Sequence, residues 1–467
     1  MEYICRVWGK QIKIIGWFLE MEKKKKSPRR LKFNTVQTVV IGFFGVILGG
    51  GILLSLPICN QKPIEFIDAL FTSVSSVCVT GLVTIVPAEQ FTLLGKIILL
   101  LLIQVGGLGV IACMSAFFLL LGKKINMKGR ITIQQAYGLD TLSGLVKFVI
   151  RILKGTFLVE GIGAVLFSLR FIPEFGFIKG VGYAIFHSVS AFCNAGIDIL
   201  GSTSFIQYSG SWLINFTTMF LIVMGGLGFP VWHDIAINIK KMTEIKKRPL
   251  KWLFTRLCLQ SKIVLTMTGL LILCGAVGFF LLEFNNPETM GDMNLLEKMT
   301  ASLFQSVTTS SKLLGCMLMF IGGSPAGTAG GVKTTTIAML LLTVLCVLKN
   351  KRDTECFARK IDNNIVRSGI TITMITLIFL MSGITALTIF EPGIDFLDLT
   401  YEAASAMGTV GLTADLTPIL SRGSHVILMI LMYVGRIGPL TMALALSGRS
   451  DKISKFRELP EENVMLG

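Results

Sequence analysis

Phe71-Thr-Ser-Val-Ser75-Ser-Val-Cys-Val-Thr-Gly81-Leu82 is a short, half-polar stretch set between two long apolar runs. It returns as Phe186-His-Ser-Val-Ser190-Ala-Phe-Cys-Asn-Ala-Gly196-Ile197, and again as Tyr401-Glu-Ala-Ala-Ser405-Ala-Met-Gly-Thr-Val-Gly411-Leu412. In each copy a Ser follows an aromatic residue by four positions, and a Gly follows that Ser by six. A fourth copy opens the same way, Phe304-Gln-Ser-Val-Thr308-Thr309, and then departs. Self-similarity in register is the mark of one structural unit used several times.

Working outward, each copy is flanked by apolar runs. Thr35–Leu56, Thr92–Leu121, Leu145–Phe171, Ser211–Ile237, Ile263–Leu282, Ile365–Phe390 and His425–Leu446 reach the length of about 20 residues that crosses a bilayer. Leu313–Leu348 is also long, but Gly322–Gly331 breaks it. The repeated stretches themselves are too short to cross, and fit helices that enter the membrane and turn back. The sequence therefore predicts an all-α polytopic membrane protein. It has four span, re-entrant helix, span units around a pseudo-fourfold central pore, at residues 35–122, 145–238, 261–348 and 365–447. A basic segment, 1–34, precedes them and a tail, 448–467, follows.

Composition agrees. The 467 residues are 52% apolar and only 15% charged, with a mean hydropathy of +0.72 and a formal charge of +16. Soluble domains carry about 25% charge. A basic protein of this size invites a nucleic-acid reading, but that requires the charge on one water-facing domain. Here it sits in blocks between apolar runs: Lys23–Lys32, Lys123–Arg130, Lys240–Arg256, Lys349–Lys360 and Arg449–Arg457. The alternate loops carry Glu65, Asp68, Glu174, Glu288, Glu391 and Asp395. By the positive-inside rule both termini are expected in the cytoplasm of a multi-pass plasma-membrane protein, with no nucleic-acid partner and with membrane lipid against the basic loops. Ile12–Leu19 reads as an amphipathic segment at the membrane surface rather than a signal peptide. The ten cysteines show no Cys-x-x-Cys pair, and His187, His233 and His425 have no ligand spacing, so no metal site is expected.

A short helix at membrane depth is tolerated where it lines a cavity. Backbone carbonyls gathered there replace the hydration shell of a monovalent cation. The candidate filter residues are Val79, Thr80, Gly81, Asn194, Ala195, Gly196, Thr409, Val410 and Gly411. Helix C-termini aimed at them add partial negative charge. Gly322, Gly323, Gly327, Gly330 and Gly331, with Pro325, cannot sustain a helix, and a loop there with Lys333 is a candidate gate. A phosphate-binding loop is the rival reading. It fails because Val332 separates Gly331 from Lys333 and no strand precedes it. Arg436 is an intramembrane charge and a candidate pore barrier, with snorkelling to the interface as the alternative. Asp198 and Asp415 are candidates for concentrating cations at the mouth, or are solvated bystanders. The sequence holds no nucleophile–base or metal constellation, so no enzyme is expected.

These motifs carry a resemblance. Phe320–Thr336 resembles the broken third-repeat span of the Trk/Ktr/HKT superfamily of potassium transporters. Phe71–Leu82, Phe186–Ile197 and Ala403–Thr413 are similar to its filter loops, and Tyr433-Val-Gly-Arg436-Ile-Gly-Pro-Leu-Thr441 to its last span. The bacterial sodium-dependent Ktr-type membrane subunit matches best. The resemblance implies potassium uptake without a covalently bound cofactor, K+ being the transported ion and Na+ a second transported or coupling ion. It also implies a homodimer with one pore per subunit, docked on a cytoplasmic nucleotide-binding regulatory ring.

One repeat departs from that pattern. Where an Arg-Thr-Ala-Gly-Phe-like filter should follow Phe304–Thr309, the chain has Ser310-Ser-Lys312-Leu-Leu-Gly315-Cys. Gly106 follows Gly81 by 25 positions, Gly225 follows Gly196 by 29 and Gly435 follows Gly411 by 24, whereas Gly322 follows Gly315 by only 7. A descent of about 15 Å, half the hydrocarbon thickness, takes about ten helical residues at 1.5 Å each. Little is left for a filter strand, and Lys312 is expected to put a cation in the ion path. A deletion, a sequence error and a relative that has lost conduction all explain this, so a non-conducting structural or regulatory homologue is the alternative function. If the filter reading holds, Gly411→Ser is expected to change potassium/sodium selectivity and leave expression intact.

Overall fold

The computed structural model describes residues 35–109, 144–201, 204–244, 250–284, 294–308, 312–351 and 353–438, together with Cys113, Ser115, Gln134, Thr441 and Met442. The basic segment 1–34 and the tail 448–467 lie outside the described residues. So do the ends of the runs expected at Thr92–Leu121 and His425–Leu446.

Helices dominate. Grouped by the repeats expected from the sequence, unit one is α1 (Thr35–Ser55), α2 (Phe66–Cys78) and α3 (Leu93–Leu108); unit two is α4 (Leu145–Phe175), α5 (Phe177–Cys193), α6 (Trp212–Gly226) and α7 (Phe229–Glu244). Unit three is α8 (Leu259–Glu283), α9 (Leu295–Thr308), α10 (Lys312–Ile321) and α11 (Thr334–Leu348). Unit four is α12 (Asn363–Phe390), α13 (Phe396–Gly408) and α14 (Arg422–Ile437). The only strands among the described residues are the pair Glu355–Cys356 and Arg359–Lys360, a hairpin in a connecting loop.

Among the described residues four helices, α1, α4, α8 and α12, are long and apolar enough to cross a bilayer. They leave large apolar side chains outside, as lipid-facing helices must: Leu169 is 62% exposed and Leu281 71%. The 13 residues of α2 and of α13 rise about 20 Å, short of the 30 Å hydrocarbon core. They are instead enclosed by protein; every residue from Phe71 to Cys78 is buried, as is every residue from Tyr401 to Gly408.

The units touch in a closed circuit. Helix α3 meets α5, α6 meets α9, α10 meets α13, and α14 meets α2. Within a unit, the re-entrant helix packs on its first span, as α2 on α1 and α5 on α4.

Among the described residues the helix after each re-entrant helix stops early, which the sequence announced only for unit three. The expected continuous run Ser211–Ile237 is instead two helices, α6 and α7, bent by 96°. Likewise α3 stops at Leu108 and α14 at Ile437. The cause is one glycine in each: Gly109, Gly228 and Gly438 take φ of 83°, 89° and 96°, conformations closed to L-residues in a helix. The break in unit two places the Gly225 and Gly226 carbonyls beside the candidate gate.

Candidate functional site

Each re-entrant helix ends in the same way. The residue after it, Val79, Asn194 or Thr409, adopts the left-handed conformation with φ of 58°, 60° and 50°. For β-branched Val and Thr this is strain, on the order of 1–3 kcal/mol, held only because the surroundings over-determine it. It turns the chain sharply so that the next residues leave the helix end extended. Thr80, Ala195 and Val410 then donate back to the carbonyls of Ser75, Ser190 and Ser405, at 2.8, 2.8 and 3.0 Å.

The repeated Ser has a further task. Ser75 Oγ accepts from Gly81 N–H (3.0 Å) and Ser405 Oγ from Gly411 N–H (3.1 Å), whereas Ser190 Oγ donates to the Ile197 carbonyl (2.6 Å). Taking the N–H groups inward leaves carbonyls of the strand unspent. The spacing of six between Ser and Gly is thereby explained; sequence reading used it as a signature but gave it no role. Ser75→Ala orphans the buried Gly81 N–H and is expected to destabilise the protein by about 1–3 kcal/mol. A lowered thermal inactivation temperature of the purified protein would show it.

The three candidate filter segments meet. A Cβ on Gly81 would lie 2.5 Å from the Ala195 carbonyl oxygen, 3.2 Å from Gly411 Cα and 3.3 Å from Gly196 Cα. The three segments therefore approach one another closely at their glycines. A Cβ on Gly411 would collide with the Thr80 carbonyl and lie 2.7 Å from Gly81 Cα. The expectation that Gly411→Ser leaves the fold intact is therefore corrected: φ of 86° and backbone neighbours make it a structural change. Gly196 is the permissive position, with nothing nearer than 3.7 Å to its Cβ. Beside the backbone of the candidate filter, Thr80 Oγ1 and Thr409 Oγ1 are buried without a hydrogen-bond partner. Hard oxygen atoms of that kind suit a monovalent cation.

Below lies the candidate gate, Gly322–Gly331 with Lys333. Its backbone is tied to the break in unit two: Ser324 N–H donates to Gly226 O, Thr328 N–H to Gly225 O, and Phe229 N–H to Ala326 O, each at 3.2 Å. Lys333 Nζ donates to the carbonyls of Ala329 (2.5 Å) and Gly330 (3.3 Å), inside its own loop. Arg436 reaches across. One guanidinium nitrogen donates to the Thr328 carbonyl, and the other to Gly106 O (2.5 Å) and Gly107 O (3.4 Å). The side chain does not snorkel; it bridges the candidate gate loop to the end of α3.

Unit three differs from its expectation in one respect. Lys312 does not point into the ion path: it opens α10, is half exposed, and pairs with Asp398 in the first turn of α13. Helix α10 packs directly on α13, with Gly315 against the Tyr401 ring. Residues 309–311, expected to hold the start of a filter, lie outside the described residues.

The other predicted residues are dispersed. Asp198 is held by Leu200 N–H (3.0 Å) and Ser204 Oγ (2.7 Å), and Asp415 is exposed. His187 is saturated by Tyr183 O (2.7 Å) and Ile199 N–H (3.5 Å). Sequence reading missed two buried acids. Glu160 lies mid-span in α4 and accepts from Gln104 Nε2 (3.0 Å). Glu402 gathers Thr413 Oγ1, Ala414 N–H (3.1 Å) and Thr417 Oγ1 (3.0 Å), fixing the chain that leaves the candidate filter segment of unit four. A carboxylate inside an apolar run was the available signal.

With this geometry in view, comparison with known proteins is decisive. The sequence profile of the TrkH family, described as cation transport protein, matches residues 9–456. The chain belongs to the TrkH family. The potassium/sodium uptake protein NtpJ of Enterococcus hirae is 37% identical over 468 residues, covering 95% of this chain and 99% of that one. The Ktr system potassium uptake protein B of Bacillus subtilis is 35% identical over 460 residues, with the same coverage. The crystal structure of the potassium transporter TrkH from Vibrio parahaemolyticus superposes with a TM-score of 0.71 at 16% identity, covering 91% of this chain and 87% of that one, a likeness of fold. As a TrkH-family member the chain is a multi-pass membrane protein of cation transport and not an enzyme.

Proposed function

We propose that this TrkH-family chain is the membrane subunit of a monovalent-cation uptake system in the plasma membrane. K+ is the main ion and Na+ the second transported or coupling ion, moving down their electrochemical gradient. The observation that carries this is the meeting of Thr80-Gly81, Ala195-Gly196 and Val410-Gly411, from three separate units, above a glycine loop that Arg436 holds. In this reading those segments form the filter of a four-unit pore, Gly322–Gly331 with Lys333 is the gate, and Arg436 is the barrier. Both termini lie in the cytoplasm, where the basic blocks sit.

The assembly follows the relatives. The Bacillus subtilis protein is named as one component of a Ktr system, which supports a partner for this chain too. We take that partner to be a cytoplasmic nucleotide-binding ring under a homodimer of this subunit. The close approach of Gly81, Gly196 and Gly411, with the short third unit, favours one other reading: a non-conducting subunit that still assembles.

Flux through the purified protein in lipid vesicles separates the two. Wild type is expected to pass potassium, and Gly196→Ser to lower that flux several-fold at unchanged yield. The new side chain has room, and a left-handed φ of 65° costs it only about 1–2 kcal/mol. Equal flux in wild type and variant would remove Gly196 from the passage.

A further inference from the structure

Helix α4 carries one outward stripe in two halves. Lys147, Arg151 and Lys154 stand on it near the start of the helix, and Leu158, Ile162 and Val165 continue it at steps of three or four. All six are exposed, Leu158 by 65% and Val165 by 62%, so the apolar half faces hydrocarbon. From Lys154 to Val165 the helix rises about 16 Å at 1.5 Å per residue, close to the depth of one leaflet's hydrocarbon, roughly 15 Å. The three cations therefore sit where lipid headgroups lie. Helix α7 closes the corner beside them. It leaves α6 at 96° and is pinned to the start of α4 through His233, whose ring meets Phe148 edge-on at 5.3 Å. His233 Nε2 accepts from Arg151 Nη1 at 2.8 Å, the direction being fixed because arginine has no acceptor. That bond holds the guanidinium in place and spends one of its five N–H donors. No acid neutralises the corner. Asp234, next to His233, is taken by Asn238 Nδ2 and Cys258 N–H, each at 2.9 Å. Among the described residues no carboxylate pairs with Lys147, Arg151 or Lys154.

We propose that this corner between α4 and α7 binds the phosphate headgroup of an anionic phospholipid, whose acyl chains run along Leu158, Ile162 and Val165. The held guanidinium offers a planar fork to two phosphate oxygens, and the two lysines add point charges on either side of it along the stripe. A basic pocket between membrane helices at the headgroup level is a site of that kind. The stripe itself favours lipid over a water-soluble protein as the occupant: the cations are continuous with side chains that face hydrocarbon, so whatever pairs with them has a polar head and an apolar body. Helix α7 agrees. Its exposed Ile237 and Ile239 run into Lys240 and Lys241, the make-up of a helix lying in the headgroup layer.

The test is lipid retention by the full chain, purified in detergent, incubated with phosphatidylglycerol or phosphatidylcholine and weighed by native mass spectrometry. Wild type is expected to retain phosphatidylglycerol several-fold more than phosphatidylcholine. Arg151→Gln should lower phosphatidylglycerol retention about fivefold, the effect of one cation beside an anionic headgroup, and the double variant Lys147→Gln/Lys154→Gln should lower it at least as far. The double variant leaves the Arg151–His233 bond intact, so it stays informative if Arg151→Gln fails to fold. Lys179→Gln removes the same charge just past the far end of α4 and should change nothing. Equal retention of the two lipids by wild type, or retention indifferent to both corner variants, overturns the proposal. Wild-type lipid retention in Arg151→Gln together with loss of its complex with the cytoplasmic partner also overturns it, and makes the corner a protein-docking surface instead. Retention is read without any ion flux, so the outcome is independent of the uptake reading.

Discussion

Arg436→Ala is expected to raise cation flux by ten- to a hundredfold at preserved yield. The guanidinium is the clasp between two units: it donates to Thr328 O in the candidate gate loop and to Gly106 O and Gly107 O at the end of α3. A hydrogen bond to a charged group contributes about 1.5–3 kcal/mol, which sets the factor if one such bond holds the loop closed. In the proposed barrier role, removing the charge also lifts its repulsion of a passing cation. Arg436→Lys separates the two effects. Lysine keeps the charge but lacks the planar fork that spans two acceptors. If Arg436→Lys conducts like wild type, charge sets the barrier; if it conducts like Arg436→Ala, the clasp does. Rubidium uptake into vesicles reads all three proteins, and a flux lower than wild type in Arg436→Ala would contradict the barrier role.

Gly435→Ala is expected to have the largest structural effect. Its Cβ would strike the Met407 carbonyl oxygen and stand 2.9 Å from the carbonyl carbon, one residue before the end of α13. The same contact recurs in two sibling units, where a Cβ on Gly106 would press on the Val77 carbonyl and one on Gly225 on that of Phe192. In all three the obstacle is backbone two residues before the left-handed turn, so nothing flexible can yield. Overpacking costs about 1–3 kcal/mol even where side chains give way, and small losses of stability change cellular abundance several-fold. Folded yield of Gly435→Ala should fall about tenfold or more. Gly161→Ala in α4 is the control, since its Cβ meets nothing within 4 Å and alanine suits a helix better. Gel-filtration yields of the two variants check this, and a normal yield for Gly435→Ala would refute the packing.

Much of this was legible because it depends on residue type and spacing. Apolar runs of bilayer length, a Ser and a Gly in fixed register, and a glycine loop too flexible for helix are all written in one dimension. The short third unit was visible as missing length alone. Other features depend on conformation. Nothing in Gly106-Gly107-Leu108-Gly109 says that the helix ends there, since glycines are common inside membrane helices; the break comes from one φ value at Gly109. Val79 and Thr409 belong to the types least suited to the left-handed turn they occupy, so propensity pointed away from it. Lys312 was misplaced because its partner, Asp398, is 86 positions away and reaches it only through the packing of α10 on α13. The close approach of Gly81 to Gly196 and Gly411 depends likewise on how three units close together.

The central claim is that this chain takes up monovalent cations through the passage built from these units. Growth of bacteria stripped of their own potassium uptake, on medium with limiting potassium, tests it most directly when the chain and its cytoplasmic partner are expressed together. Rescue of growth is the predicted result, stronger with Arg436→Ala than with wild type. Failure to grow, with the protein present in the membrane at normal abundance, would contradict it.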